Sequence, residues 1–551
     1  MAVSWLTPNH YLPWVAAWGD ALAIVGLLVL MASAMANAAS GVRVSWQLAG
    51  VAVIGCVMVL AQLTTGKLLF GGDAVMAALY IGLWLAAVLV GRLLADSSSR
   101  KDSLNALTAA WLFAALLSVG IALVQWTGAL NLGIYAADLP PAGRPFANLA
   151  QPNNFSTLCF LGLCALLWLH QRHRVTGAAF GLAAGFLLLG VVMSQSRTGG
   201  LQIGLLIVWG LAMRERASLR IARAQLLLLG AVFAAGVLLW PLITDALLLS
   251  AGRSIDDQMR LGMRMPYWRA MLDAIGREPL TGYGWQQVGA AQQRVALDHP
   301  AIGDYFEHAH NLVLDLLLWN GIPVGGFLVV MLAWWFIAHM RACRDARVVW
   351  LLAAVGGVVT HSMLELPLEY AYFLIPVGLA MGAVDGISPA GGSSLRMPRW
   401  AVLSFTGLLT AVFAWTAVEY LEVEENYRTL RMESARIGVG GLVTPAPKLH
   451  LLTQLEAFLQ FAHTEATPSM SATQVDWMRK VSERFGYPPV LFRYALAAGL
   501  NGQPEIAQQT LARLCRIHPP ARCSEAREGW TALQVRYPQL AGVTVSEMGK
   551  N

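Results

Sequence analysis

The chain has 551 residues, of which 57% are hydrophobic and only 13% charged, with a mean hydropathy of +0.55. Soluble domains carry roughly a quarter charged residues, so the composition excludes a soluble globular protein and points to a polytopic membrane protein. The net charge of +6 sits in short loops between apolar spans, a topology signal and not a nucleic-acid-binding face.

Apolar stretches long enough to cross a bilayer fall at 14–34, 48–65, 74–95, 105–128, 154–170, 176–194, 200–213, 224–244, 322–340, 348–363, 371–387 and 400–419. Residues 309–320 read as a half-helix leading into 322–340, broken at Gly321 and Pro323. The expected fold is all-α, with about twelve transmembrane helices and a C-terminal helical domain. The expected divisions are N-terminal membrane helices over 1–244, a large outer loop over 245–308, C-terminal membrane helices over 309–419 and a polar helical domain over 420–551. The first thirteen residues lack a charged region and do not read as a cleavable signal peptide.

Alternate loops carry Arg43; Arg92, Arg100 and Lys101; Arg172 and Arg174; Arg214, Arg216, Arg220 and Arg223; Arg341, Arg344 and Arg347; and Arg396 and Arg399. The short loops between them hold only Lys67, Arg144 and Arg197. By the positive-inside rule the first set is cytoplasmic, which puts 245–308 and 420–551 outside. The outer loops collect Arg144, Arg197, Arg253, Arg260, Arg264, Arg269, His308, His310, His361, Glu365 and Glu369, whereas the spans hold few ionisable groups beyond Asp20 and Asp315. An ion-coupled transporter places charges near the midplane. This pattern instead points to a site at the outer membrane–water interface.

Cys56, Cys159 and Cys164 lie in apolar spans and read as core or lipid-facing residues. In the tail, the stretch from Tyr487 to Leu514 predicts two helices joined at Asn501-Gly502, with Ala497, Ala498 and Ala507 at close-packing positions, like a tetratricopeptide-type hairpin. Cys515 and Cys523 flank Ile517-His518-Pro519-Pro520, and an oxidising compartment predicts a disulfide between them.

Four stretches carry candidate chemistry. The first is Gly143-Arg144-Pro145-Phe146-Ala147-Asn148 with Gln151-Pro152-Asn153-Asn154. The amides of Asn148, Gln151 and Asn153 can bond sugar hydroxyls or a diphosphate; the competing reading is a Pro/Asn loop with helix-capping duty for Asn153. In the second, Arg197 stands beside Gly199-Gly200 between two apolar spans, able to fork onto phosphate oxygens or to snorkel to lipid headgroups. In the third, Arg260 and Arg264 are four apart, so a helix places both on one face; a solvated or headgroup-binding face is the alternative. In the fourth, Glu307, His308, His310 and Asn311 lead into the half-helix. An imidazole suits general-base work on a hydroxyl. Metal binding by His308 and His310 is the rival, but no convincing third ligand stands with them.

His310-Asn311, nine residues, Gly321, three residues and Gly325 resembles the signature of the bacterial O-antigen ligase and protein O-oligosaccharyltransferase superfamily. Gln151-Pro152-Asn153 is similar to an element of the protein O-oligosaccharyltransferase branch. Arg197 with Leu201, and Arg264 with Trp268 ahead of Pro279-Leu280-Thr281-Gly282-Tyr283-Gly284, resemble the family's arginine elements. The resemblance spans 140–390 and implies a C-type-like glycosyltransferase of the inner membrane; no cofactor is expected, and no metal, for want of a third ligand. It implies His310 as the catalytic residue and Arg197 and Arg264 as diphosphate-binding; Arg260 joins that set by its four-residue spacing from Arg264. Gln151, Asn153, Arg144, Asn311 and Tyr370 are the substrate-binding candidates. Leu366 stands where relatives show an aromatic residue, with Tyr370 and Tyr372 nearby.

The implied partners are membrane lipids, an undecaprenyl-diphosphate-linked oligosaccharide and an acceptor protein bearing Ser or Thr hydroxyls, pilin-like proteins among them. Lipid A core as acceptor, as in an O-antigen ligase, and polymerisation of repeat units stay open as alternatives.

Overall fold

In hydrocarbon no water is present to satisfy backbone N–H and C=O groups, so long apolar runs close their hydrogen bonds within helices. The computed structural model describes residues 1–36, 41–96, 101–141, 143–249, 264–388, 394–435 and 445–544. In chain order the helices are α1 (Ala2–Leu6), α2 (Ala17–Ala36), α3 (Trp46–Thr64), α4 (Gly71–Asp96), α5 (Lys101–Thr127), α6 (Pro152–Gln171), α7 (Gly177–Ser194), α8 (Arg197–Met213) and α9 (Arg223–Ala246). There follow α10 (Arg264–Arg277), α11 (Val288–Val295), α12 (Leu312–Ala342), α13 (Ala346–Ser362), α14 (Ala371–Ile387) and α15 (Arg399–Ser434). The tail adds α16 (Thr453–His463), α17 (Ala472–Arg484), α18 (Pro488–Leu500), α19 (Pro504–Ile517) and α20 (Pro520–Arg536).

The protein is an all-α polytopic membrane protein. Among the described residues nine helices are long and apolar enough to cross a membrane, and α8, α13 and α14 are shorter apolar helices. Together they coincide one for one with the apolar stretches of the sequence. Among the boundaries that differ from the expected ones, two matter here. Helix α8 begins at Arg197 itself, which brings the short span to 17 residues. Helix α15 continues through 420 to Ser434, because 420–434 contains no Gly or Pro and is rich in Glu, Leu and Arg, which favour helix. The change there is of solvent preference, not of backbone.

By packing, the chain divides into two compact units, each drawn from three segments: Met1–Val53, Tyr80–Arg260 and Val330–Val412 form the first, and Ile54–Leu79, Leu261–Val329 and Phe413–Asn551 the second. In the first, α6 is the central helix, buried on all sides from Asn154 to His170, with α5, α7, α8 and α13 packed on it. Strands β1 (Val42–Ser45) and β2 (Ser394–Met397) pair antiparallel, Val42 opposite Met397 and Ser45 opposite Ser394. Nearby, Asp385 accepts from the Trp335 indole at 2.8 Å and from Ser45 N at 3.3 Å, and lies 3.2 Å from His339 Nε2. That network ties α12, α14 and β1 together.

In the second unit the break of α12 is the organising feature. Gly321 has φ 74° and ψ 173°, outside the helical region. The break orphans carbonyls of the preceding turn, and leaving a buried polar group unpaired costs about 1–3 kcal/mol. The turn at 279–284 supplies the partners: Tyr283 N donates to Leu318 O at 2.6 Å and Gly284 N to Trp319 O at 3.2 Å, while Ile322 N donates to Pro279 O at 2.7 Å. Gln62 adds a second bond to Trp319 O at 2.7 Å. The chains approach so closely that a Cβ at Gly321 would lie 2.4 Å from Leu280 O. Pro323 then falls in the first turn of the second half-helix, where its missing N–H is tolerated.

The tail stacks its helices in sequence order, α16 on α17, α17 on α18, α18 on α19 and α19 on α20. Ala497, Ala498 and Ala507 are fully buried, as their small size predicts for a close crossing. Cys515 and Cys523 are joined, with Cα atoms 4.7 Å apart. Glu419, inside α15, accepts from His450 N, Leu451 N and Leu452 N at 2.8–2.9 Å, so a buried carboxylate caps the entry to α16.

Candidate active site

The first unit gathers two of the four candidate stretches, together with the 361–370 segment. Pro152 opens α6 at a position where its lost N–H is harmless, with Gln151 extended at the cap. Asn153, one residue further, is a node and not a cap. Its Nδ2 donates to Glu365 Oε1 at 3.3 Å, and its Oδ1 accepts from Ser196 Oγ at 2.8 Å. One amide therefore joins 151–154, 194–201 and 361–370. Ser196 in turn accepts from Gly199 N and caps α8. Gln195 makes the tight turn between α7 and α8 at φ 47°, and Arg144 donates to the Ser194 and Gln195 carbonyls at 3.1 and 3.3 Å. That guanidinium thus stands at the negative end of α7. Arg197 is exposed at the first position of α8.

Asn148 is not available as a sugar ligand. Its amide donates to Leu6 O and Tyr135 O at 2.7 and 2.9 Å and accepts from Ala137 N at 3.0 Å, because an irregular loop must satisfy its backbone somewhere. Gln125, which sequence reasoning passed over, clamps the same loop through Ala137 O and Ala147 O at 2.7 and 2.6 Å.

Below the surface of this unit lies a buried polar layer. Thr157 Oγ1 is 2.8 Å from His361 Nδ1, and Gln202 Nε2 donates to Thr157 Oγ1 and Gly357 O at 3.1 and 2.9 Å. His361 and Gln202 are fully buried. Tyr80 donates to Asp20 Oδ2 at 2.8 Å, and Tyr372 N donates to Asp20 Oδ1 at 3.4 Å. The rings of Tyr370 and Tyr372 stack 5.1 Å apart. Burial pushes the Tyr370 phenol up to about 12, so it stays a neutral hydrogen-bonding group at physiological pH.

The second unit builds the His310 loop. Helix α10 faces it with two aromatic donors: Tyr267 Oη to His308 O at 3.0 Å and Trp268 Nε1 to Ala309 O at 2.9 Å. Asp315, one turn into α12, accepts from Ala309 N at 2.7 Å. Asn311 accepts from Val313 N and Leu314 N at 3.1 and 3.2 Å and so caps the half-helix; its side-chain oxygen is used for this. The half-helix consequently starts at Leu312 and not at 309. Between these anchors His310 takes φ 52°, a conformation costing about 1–2 kcal/mol for a residue with a Cβ. Strain of this kind persists where the surroundings fix it, and it clusters at functional positions. The His310 ring is half-buried and meets Phe306 edge-on at 5.0 Å. His308 is buried, its ring 6.2 Å from that of Trp319. Arg264 is the first described residue of α10 and is half-buried. Arg260 lies outside the described residues, so its sharing of a face with Arg264 does too. Among the described residues no three His, Cys, Asp or Glu side chains are grouped as a metal site needs.

Residues 182–329 match the O-antigen ligase family, and residues 349–532 match the C-terminal part of the virulence factor membrane-bound polymerase family. Over 534 residues the chain is 30% identical to a general O-oligosaccharyltransferase of Acinetobacter baylyi, covering 94% of this chain and 91% of that protein. The chain belongs to the O-oligosaccharyltransferase family. It is also 28% identical over 334 residues to a ComP-specific O-oligosaccharyltransferase of the same organism, covering 60% of this chain and 59% of that protein.

For this O-oligosaccharyltransferase the sequence located the stretches better than the partners within them. By sequence Asn153 reads as a ligand or a cap, and the structure makes it the junction of three segments. Asp315 stood out as a charge in a span, but nothing in the spacing said that it holds Ala309. Tyr267 was visible beside the Arg264–Trp268 pair, and only the fold turns it toward the His308 carbonyl.

Proposed function

We propose that this glycosyltransferase moves a preassembled oligosaccharide from undecaprenyl diphosphate to Ser or Thr hydroxyls of proteins at the periplasmic face of the inner membrane. The observation that carries the reading is the similarity along nearly the whole chain to a general O-oligosaccharyltransferase. The pinned, strained backbone at His310 is what supports its role within that reaction. In the proposed step the acceptor hydroxyl gives its proton to the His310 imidazole, and the oxygen forms a bond to the anomeric carbon. The bond from that carbon to the diphosphate breaks with inversion, and undecaprenyl diphosphate leaves. Arg197 and Arg264 stabilise the charge that grows on the leaving group. Gln151, Asn153, Asn311 and Tyr370 are proposed to serve the glycan or acceptor, Arg144 to hold the Arg197 turn, and no metal takes part.

A second reading, transfer to lipid A core, is favoured by the match of 182–329 to the O-antigen ligase family. The two separate in one assay. Purified protein is incubated with lipid-linked oligosaccharide and either a pilin-type protein or rough lipopolysaccharide. Glycosylation of the protein is expected, and product on lipopolysaccharide alone would replace the first reading with the second.

A further inference from the structure

Glu307 lies three residues before His310, and its carboxylate is held by the C-terminal helical domain. Tyr487 Oη donates to Glu307 Oε1 at 3.1 Å, and Arg484 Nη1 stands 3.5 Å from the same oxygen. Arg484 also reaches the start of α4, its Nε donating to both oxygens of Asp73 at 3.0 and 3.1 Å. The side chains of Arg484 and Asp73 are 10% and 2% exposed. One guanidinium therefore bridges two carboxylates, the buried Asp73 and Glu307, whose side chain is 38% exposed.

The surrounding contacts share this direction. Tyr305 Oη donates to Arg484 O at 3.0 Å, and Gln293 of α11 donates to Ser482 O and Glu483 O, both at 3.0 Å. His518 Nε2 is 2.8 Å from Gly486 O, which steadies the 485–487 turn from behind. Tyr305 packs so tightly that a Cβ at Gly289 would lie 1.9 Å from its hydroxyl. The loop 304–311 is thus held at one end by α10 through Tyr267 and Trp268 and at the other by the tail through Arg484 and Tyr487.

We propose that Arg484 is a positioning residue for His310, which makes the C-terminal domain part of the catalytic apparatus. The bridge needs a planar fork. An ammonium is a point charge and cannot serve Asp73 and Glu307 with the same geometry. A displacement of about 1 Å at a reacting group can cost about a hundredfold in rate, so the effect falls on turnover more than on binding. This inference rests on the proposed role of His310.

The test uses the full-length protein in nanodiscs, with transfer kinetics and amide hydrogen exchange measured for Arg484→Gln, Arg484→Lys, Glu307→Gln and His310→Ala. For Arg484→Gln, kcat should fall about a hundredfold, with KM for donor and acceptor within about threefold of wild type. Amides of 304–311 should exchange faster, those of 488–517 should be unchanged, and Arg484→Lys should lie between. Glu307→Gln leaves the Arg484–Asp73 pair in place, so it tests the clamp even where Arg484→Gln fails to fold; it should slow turnover about tenfold with the tail still protected. Wild-type kcat and loop protection in Glu307→Gln overturns the proposal, as does wild-type kcat in folded Arg484→Gln. Normal transfer by His310→Ala would instead remove the catalytic reading, while loop exchange in Arg484→Gln would still report on the clamp.

Discussion

Arg197 opens α8, so a fixed cation stands at the positive end of a helix dipole, where a bound phosphate oxygen would meet both. Arg264 occupies the first described position of α10, the helix whose Tyr267 and Trp268 hold the His310 loop. If these arginines serve the leaving diphosphate and His310 the acceptor, their losses differ in kind. Arg197→Ala and Arg264→Ala should each lower turnover by about 10²–10³-fold, and Lys should rescue poorly for want of the fork. His310→Ala should abolish transfer while donor affinity stays within about threefold, with His308→Ala milder and EDTA without effect. Donor binding and single-turnover transfer, measured separately, decide this; transfer retained by His310→Ala would end its assignment, and loss of activity to EDTA restored by a divalent ion would bring metal back. Residue identity alone could not sort such roles. Asn148 and Asn153 carry the same amide five residues apart, yet one is spent on three backbone groups and the other ties side chains of three stretches.

At the scale of elements, the helices were legible because length and hydropathy decide them, and the break of α12 because Gly321 and Pro323 mark it in the text. What sequence could not show is that the Pro279–Gly284 turn closes that break with backbone bonds. This pairing is long-range, and neither partner looks incomplete by itself. It yields a direct expectation. Gly321→Ala puts a Cβ against the Leu280 carbonyl at a backbone angle that L-residues disfavour, so it should destabilise by at least about 2 kcal/mol and lower transfer through the half-helix that follows His310. Gly326→Ala, which meets open space, is the control; equal melting temperatures for the two variants would show that the turn does not hold the break. In the tail, reducing Cys515–Cys523 releases a short loop and should cost about 2–3 kcal/mol. Thermal unfolding of the full-length protein with and without reductant measures this, and alkylation of both thiols in non-reduced protein would show that no bridge forms.

For the molecule as a whole, composition revealed a membrane protein at once, whereas the division into two units did not follow from reading along the chain, because each unit is built from three separated segments. The passage of α15 from apolar to polar surface without a break shows the same limit: a change in composition marks a change of solvent, and the backbone need not register it. Sidedness is the property of the whole chain that the charges predict most directly. The arginine-rich loops alternate with arginine-poor ones, and moving such loops across a bilayer is what the positive-inside rule opposes. Residues 264–308 and the tail should therefore face the periplasm together, and the loop after α6 the cytoplasm. Single cysteines at Pro300, Gln508 and His173, all exposed, report on this with an impermeant maleimide, against a background in which Cys159, Cys164 and Cys343 are buried and Cys56 lies in an apolar span. In spheroplasts the first two positions should label and His173→Cys should not, and in everted vesicles the pattern should reverse. Labelling of Pro300→Cys and His173→Cys from the same side would mean that the spans between them have been miscounted. Protection of Gln508→Cys alone would place the error in α12 or after it, and would separate the tail from the compartment in which His310 is proposed to act.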